Sequence, residues 1–328
     1  MKAAWFNQFG PASEVLQIGE IDTPVPAPGE VLIRMHTSGV NPSDTKKRLA
    51  SFPDLLDHGA VIPNSDGAGI IEAVGAGVPH SRIGERVWVY QAQYGRLHGT
   101  AAEYVSIDSN RAVTLPDNTS FVEGACMGIP AMTAHRCVFA DGPVEGQWLL
   151  ITGGAGRVGH YAIQWAKLSG ATVIATASNE EARKHCFEAG ADYVVNHRSE
   201  GMVDEVMEVT GGVKVDRVID VEFGANLPKV LQLIRIGGVI ATYSSTVVTE
   251  PCLPFKEMMF MDLTLRLVIV YAMPETAKRE AIEDITTALE NKWLQHRIAE
   301  TYPLDQIAEA NQKIEDGGFY GCVVVEIG

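Results

Sequence analysis

The sequence has no lysine- and arginine-rich stretch longer than the three residues Lys46-Lys47-Arg48, no Cys-x-x-Cys pair and no apolar stretch of bilayer length. Each absence removes a class of function. Lys plus Arg number 26 against 41 Asp plus Glu, a formal charge of −15. Nucleic acid is therefore not an expected partner, because phosphate binding needs concentrated positive charge. The five cysteines (Cys126, Cys137, Cys186, Cys252 and Cys322) are scattered. That pattern fits a reducing compartment better than a disulfide framework, and it offers no zinc-ribbon spacing. The most continuous apolar stretch, residues 267–273, falls far short of the roughly 20 residues a membrane helix needs. Met1-Lys2-Ala3-Ala4-Trp5 lacks the apolar core of a signal peptide. The expectation is a cytoplasmic protein without membrane association. What is present is an ordinary globular mixture, 46% hydrophobic and 20% charged over 328 residues, a length that suggests two domains.

Residues 1 to about 120 read as β-rich. Short β-branched or aromatic runs, Val31-Leu32-Ile33-Arg34-Met35 and Glu85-Arg86-Val87-Trp88-Val89-Tyr90, stand between turn clusters such as Pro26-Ala27-Pro28-Gly29. Many short strands of irregular spacing predict a partly closed barrel. From about residue 145 the period changes. Trp148-Leu149-Leu150-Ile151-Thr152 is continuously apolar, as a strand buried on both faces should be. Helix and strand then alternate as far as Tyr243, which predicts a doubly wound parallel sheet. An apolar strand is expected over residues 263–270 and a long helix over 275–291. The last apolar run, residues 320–326, has no place in a complete α/β domain, so the C-terminus is expected to return to the first domain.

Gly154-Ala155-Gly156-Arg157-Val158-Gly159 is a G-x-G-x-x-G motif. Alone it is weak; between a buried strand and an amphipathic helix it predicts a dinucleotide site. In that setting Gly154 makes the tight turn, Gly156 lets a pyrophosphate approach the backbone, and Gly159 allows close helix–strand packing, with the phosphates at the helix N-terminus. An NAD site needs Asp or Glu at the end of the next strand to hold the ribose 2′-hydroxyl. Here that strand ends Thr176-Ala177-Ser178-Asn179. The small neutral Ser178 leaves room for a 2′-phosphate, and Arg183, Lys184, His197 and Arg198 supply positive charge nearby. The expected cofactor is NADPH; which of the four basic residues meets the phosphate is left open.

Together with Gly29-Glu30-Val31-Leu32-Ile33-Arg34, Gly39-Val40-Asn41-Pro42-Ser43-Asp44, Asp66-Gly67-Ala68-Gly69-Ile70-Ile71-Glu72-Ala73-Val74-Gly75, Gly84-Glu85-Arg86-Val87 and Gly99-Thr100-Ala101-Ala102-Glu103-Tyr104, this motif resembles the medium-chain dehydrogenase/reductase superfamily. Within it, the chain is similar to the zinc-independent quinone oxidoreductases, the zeta-crystallin-like branch. The resemblance runs in collinear order along essentially the whole chain. It implies an α/β protein with a GroES-like catalytic domain beside a Rossmann domain and the active site in the cleft between them. The expected division is a catalytic part over residues 1–122, an NADP-binding Rossmann part over 123–264, and a C-terminal part over 265–328 returning to the catalytic domain. It also implies a homodimer or tetramer.

The zinc-dependent alcohol dehydrogenases of the superfamily carry cysteine where this chain has Asn41, a His-Glu pair where it has Ser65-Asp66, and cysteine where it has Ile129. Zinc needs three or four N, S or O ligands in close geometry, so no metal is expected. Without a Lewis acid to lower an alcohol's pKa, the chemistry should move to acceptors that take hydride readily. A quinone is the first choice. The alternatives are an enone or enal, as in an enoyl or 2-alkenal reductase, or a crystallin-like or RNA-binding role without turnover.

Asn41 is the residue expected near the nicotinamide, positioning it or donating to the acceptor carbonyl; an Asn-Pro turn is the plainer explanation. By resemblance Thr133 lies beside the cofactor, while Tyr243, Ser244, Ser245, Val268, Ile269 and Val270 border its nicotinamide half. The last three would equally suit a buried edge strand or a subunit contact. Relatives often carry a tyrosine where this chain has Lys46, and no tyrosine occurs between Asn41 and Val89. A solvated lysine is expected there. The loss weakens the enoyl-reductase reading, because a C=C acceptor needs a proton placed at carbon.

Overall fold

The first part of the chain carries β1 (Lys2–Trp5), β2 (Gln17–Glu20), β3 (Glu30–Val40), β4 (Asp66–Val74), β5 (Arg86–Val89), β6 (Tyr104–Asp108) and β7 (Ala112–Thr114), and inward and outward residues alternate along the first part of β3. This computed structural model describes residues 1–328. The eleven-residue β3 organises the sheet. Val31, Ile33 and Met35 turn inward to a core shared with Ile71, Val87, Val89, Val105 and Ile107. Along one edge it pairs antiparallel with β4, with register shifts at Leu32/Ile33 and Met35/Thr37. Its other edge faces β6 over Glu30–Arg34. Such irregularities bend a strand and raise its twist, which curls this sheet into the partly closed, GroES-like barrel.

The second part of the chain carries β8 (Trp148–Ile151), β9 (Thr172–Ala177), β10 (Tyr193–Asn196), β11 (Val215–Asp220), β12 (Ile234–Thr242) and β13 (Thr264–Leu267). Their order in the sheet is β10-β9-β8-β11-β12-β13, and every pairing is parallel. Helices Arg157–Leu168, Glu180–Glu188, Met202–Val209 and Phe223–Leu233 connect successive strands from β8 to β12. Successive strands are added leftward from β8 to β10 and rightward from β11 to β13, so the strand order reverses between β8 and β11. That is the switch point outside which open α/β sheets bind ligands, at the carboxyl ends of the strands. Leu150, Ile174, Val218 and Ile240 from the sheet pack with Phe223, Leu227 and Val230 in one core.

The last strands, β14 (Ile298–Pro303) and β15 (Cys322–Glu326), run parallel to each other, and β15 lies antiparallel to Thr37–Val40 of β3. The C-terminus therefore occupies the edge of β3 beyond the reach of β6. Compact units comprise residues 1–129, 282–292 and 296–328, and residues 130–281 with 293–295. The boundaries expected at 122/123 and 264/265 need correction. The second would cut β13, which hydrogen-bonds to β12 and so belongs to the Rossmann sheet. The division falls instead within the helix Glu275–Glu290. The strand expected over residues 263–270 also stops early, at Leu267, and Val270 opens a short 3-10 turn. No helix is long and apolar enough to cross a membrane.

Candidate active site

The glycine loop follows β8, and helix Arg157–Leu168 begins at its N-cap, Gly156, with no side chain capping its first turn. Uncapped N–H groups and the helix dipole make such a start an anion site. A Cβ on Gly159 would stand 2.4 Å from the Gly153 carbonyl oxygen, so the helix can approach the strand only with glycine there. On Gly156 it would meet just that oxygen, at 3.1 Å, leaving its outer side open. The tight turn is made one residue earlier than expected. Gly153, at φ 62°, takes the left-handed conformation. Gly154 is packed instead, its would-be Cβ 2.8 Å from that of Ala175. Ala155 is buried; Arg157 and Val158 are half-buried in the first helical turn.

At the ends of β9 and β10 lies a recess of about 350 Å³, lined by residues that include Ser178, Glu180, Arg183 and Asn196. No carboxylate ends β9, as the sequence indicated. Asn179 instead caps the next helix, its side-chain oxygen accepting from the Ala182 N–H at 2.8 Å. The Arg183 guanidinium reaches this recess, but it also donates to the Val194 carbonyl and lies over the Phe187 ring. His197 does not line the recess. The residue is exposed and its carbonyl accepts from Lys229 Nζ at 3.2 Å. Of the four basic candidates, Arg183 alone is brought to Ser178.

A second recess, of about 450 Å³, opens at the ends of β12 and β13. Tyr243, Ser244, Ser245, Val268 and Ile269 all border it. Val270 does not; it is buried in the turn after β13. The floor between these two recesses is fixed by Asp220 at the end of β11. It accepts from Thr152 Oγ1 at 2.5 Å and Asn226 Nδ2 at 2.7 Å. Glu222 holds the loop above β12, accepting from the backbone N–H groups of Thr246 at 2.8 Å and Val247 at 2.9 Å. Thr133 is buried in the helix Met132–Phe139 of the same unit.

Asn41 belongs to the other unit, where it begins the helix Pro42–Arg48. One N–H of its amide is committed. Asn41 Nδ2 donates to Asp66 Oδ2 at 2.9 Å, and the Ile129 N–H donates to the same oxygen at 2.8 Å. Asp66 Oδ1 is buried without a hydrogen-bond partner, and a Cβ on Gly128 would stand 2.0 Å from it. Gly128 thus makes the space this carboxyl occupies. Burial, reinforced by the charge of Asp44 and opposed by the two N–H donors and Lys47, pushes the Asp66 pKa up to about 8. Asp66 is then mostly a neutral acid at pH 7.

Two neighbours of this pair escape a reading of the sequence. Asp44 Oδ2 accepts from the Asn41 N–H at 3.0 Å. Lys47 is buried, donating to the Gln93 carbonyl at 2.8 Å and Ser65 Oγ at 3.2 Å, with Asp44 Oδ1 4.0 Å away. Burial raises the Asp44 pKa against the pull of Lys47, and burial lowers the Lys47 pKa against the pull of Asp44 and Asp66. The three-residue spacing Asn41, Asp44, Lys47 places all three on one helix face, a signal the sequence did carry. Lys46, by contrast, is exposed. No three His, Cys, Asp or Glu side chains group as metal ligands.

Comparison with known proteins agrees with this anatomy. Residues 27–117 match the model of the alcohol dehydrogenase GroES-like domain, and residues 158–287 that of the zinc-binding dehydrogenase family. The human protein named quinone oxidoreductase is 31% identical over 323 residues, covering 97% of this chain and 94% of that protein. A Geobacillus stearothermophilus alcohol dehydrogenase is 29% identical over the full length of both. A mycobacterial structure complexed with NADPH superposes with a TM-score of 0.87 at 26% identity, covering both chains fully. With a barrel of the GroES type, a Rossmann sheet and a glycine loop in their expected order, the chain belongs to the medium-chain dehydrogenase/reductase family of oxidoreductases.

Proposed function

We propose that the protein is an NADPH-dependent quinone oxidoreductase that works without a metal. One observation carries the reading. Where zinc-dependent relatives place metal ligands, this chain has an amide donating to a buried carboxyl, with a backbone N–H as its other donor. Nothing in that arrangement can polarise an alcohol as a Lewis acid does. A quinone needs no such help, since it takes up a hydride and a proton to give the hydroquinone.

The residues present fit the cofactor. The uncapped start of helix Arg157–Leu168 and the open side of Gly156 suit a pyrophosphate. Ser178 and Arg183 suit a phosphorylated ribose, although Glu180 shares their recess. Tyr243, Ser244, Ser245, Val268 and Ile269 would border the nicotinamide half, with Thr133 beside it. NADPH, when bound, supplies the hydride. The protein's part is to orient, exclude water and meet developing charge. Asn41 is the proposed donor to the acceptor oxygen. One N–H of its amide is spent on Asp66, which fixes the plane of the group and so the direction of the other. A hydroquinone oxygen is then protonated by water without a dedicated acid.

β13 ends the sheet, and Leu267 and Ile269 beside it are exposed. An apolar edge strand of this kind supports a homodimer.

Cofactor choice tests the reading of Ser178. Ser178→Asp puts a carboxylate where the 2′-phosphate would lie. It should reduce kcat/KM for NADPH by about 100-fold while leaving NADH within a few-fold of wild type. Steady-state kinetics with both cofactors checks this. Unchanged NADPH kinetics would remove the 2′-phosphate from this recess.

A further inference from the structure

Glu222 precedes the helix Phe223–Leu233 in the Rossmann unit, yet its side chain does not cap that helix. It turns instead to the loop that follows β12. One carboxylate oxygen accepts from the Thr246 N–H at 2.8 Å and from Thr246 Oγ1 at 2.7 Å. The other accepts from the Val247 N–H at 2.9 Å, with the Val248 N–H 3.4 Å away. Consecutive backbone N–H groups converging on one anion form a nest, and charge-assisted bonds of this kind are the stronger ones. Burial opposes the charge on Glu222, but these donors prevail and hold its pKa below the usual carboxyl value. Apolar burial does little to fix this loop, since residues 246–250 are all exposed, Val247 at 76%. Its other ties run to the first turn of the same helix. The Gly224 N–H donates to Ser245 Oγ at 2.9 Å, and a Cβ on Gly224 would stand 2.4 Å from the Val248 carbonyl oxygen.

Ser244, Ser245, Thr249 and Pro251 of this loop line the recess of about 450 Å³ together with Val268 and Ile269. We infer that Glu222 is a positioning residue for the nicotinamide half of the cofactor, holding residues 244–251 in place as a wall of that recess. The inference rests on the reading above that places the nicotinamide there. Glu222 acts through the loop rather than by touching the cofactor. Without the carboxylate, only a fraction of the molecules would present a formed wall, and the apparent Kd rises by the inverse of that fraction. The adenosine half, held at the glycine loop and the Ser178 recess, does not need this wall.

The test is equilibrium binding of two probes to the full-length protein by calorimetry: NADPH, and 2′-phospho-ADP-ribose, which lacks the nicotinamide. Glu222→Gln keeps the length of the side chain and removes its charge. It should weaken NADPH about tenfold and leave the fragment within about twofold of wild type. A merely structural role would weaken both alike. Thr246→Val, at an exposed position, removes only the hydroxyl donor and should weaken NADPH about threefold. Ser244→Trp fills the recess itself and should also weaken NADPH alone. Wild-type NADPH affinity in Ser244→Trp would overturn the placement of the nicotinamide, and the inference with it. A loss in Ser244→Trp with none in Glu222→Gln, or an equal loss of both probes in Glu222→Gln, would overturn the inference alone. If Glu222→Gln does not fold, wild-type NADPH affinity in Thr246→Val would do the same.

Discussion

Replacing Asp66 with asparagine should remove much of the decline in stability expected of the wild-type protein between about pH 4 and pH 8. In the folded chain the pKa of Asp66 is raised from 3.8 to about 8. The folded state therefore holds this proton more tightly than the unfolded state does. The associated stability is full below pH 3.8 and is lost as the pH rises through about 8. The linkage slope for one such group is at most about 1.4 kcal/mol per pH unit. Asparagine has the same shape, keeps an oxygen for the Asn41 and Ile129 donors, and never ionises. Its advantage over wild type should grow with pH and level off above about 8. Asp44, also pushed up by burial, leaves the variant a residual slope of the same sign. Urea unfolding midpoints of both proteins at pH 5, 6.5 and 8 measure the difference. Parallel pH profiles would mean that Asp66 is an ordinary ionised carboxylate.

The second large effect is on catalysis. Asn41→Ala removes the proposed donor to the acceptor oxygen and one of the two donors to Asp66 Oδ2. Loss of a preorganised donor to developing oxyanion charge typically costs 10²–10³ in rate, so kcat with a quinone should fall by about that factor. Stability should fall by about 1–3 kcal/mol, the cost of leaving a buried acceptor under-satisfied. KM for NADPH should change little. A folded variant with wild-type kcat would leave Asn41 as the helix N-cap and nothing more.

Much of the architecture was legible because single periods dominate. Alternation in β3, the continuous apolar run of β8 and the glycine loop each match one local geometry. The loop also illustrates the limit. Its motif identifies the turn, yet the left-handed residue is Gly153, one position ahead of the fingerprint, because the chain must reverse before Gly154 packs against Ala175. Strand β13 is a second case. An apolar run of this kind reads alike as an end of the Rossmann sheet or as a start of the return to the barrel. Hydrogen bonding to β12 decides it, and that pairing is non-local.

Lys47 was hidden for a different reason. Of the three consecutive basic residues Lys46, Lys47 and Arg48, only Lys46 is exposed. Arg48 is buried, its guanidinium joined to Glu315 and the Gly10 carbonyl. Lys47 turns to the face of Asn41 and Asp44. Helix phase separates the three, and the phase is set by Pro42 and the N-cap Asn41, which begin the helix. The raised pKa of Asp66 was equally invisible. It depends on total burial and on the missing side chain of Gly128, neither of which has a local signature.

The most direct test of metal-free, NADPH-driven quinone reduction is steady-state oxidation of NADPH and NADH by benzoquinone, before and after exhaustive treatment with a chelator. Turnover with NADPH should exceed that with NADH by about tenfold or more and should be unchanged by the chelator. Loss of activity on chelation, or a preference for NADH, would contradict it.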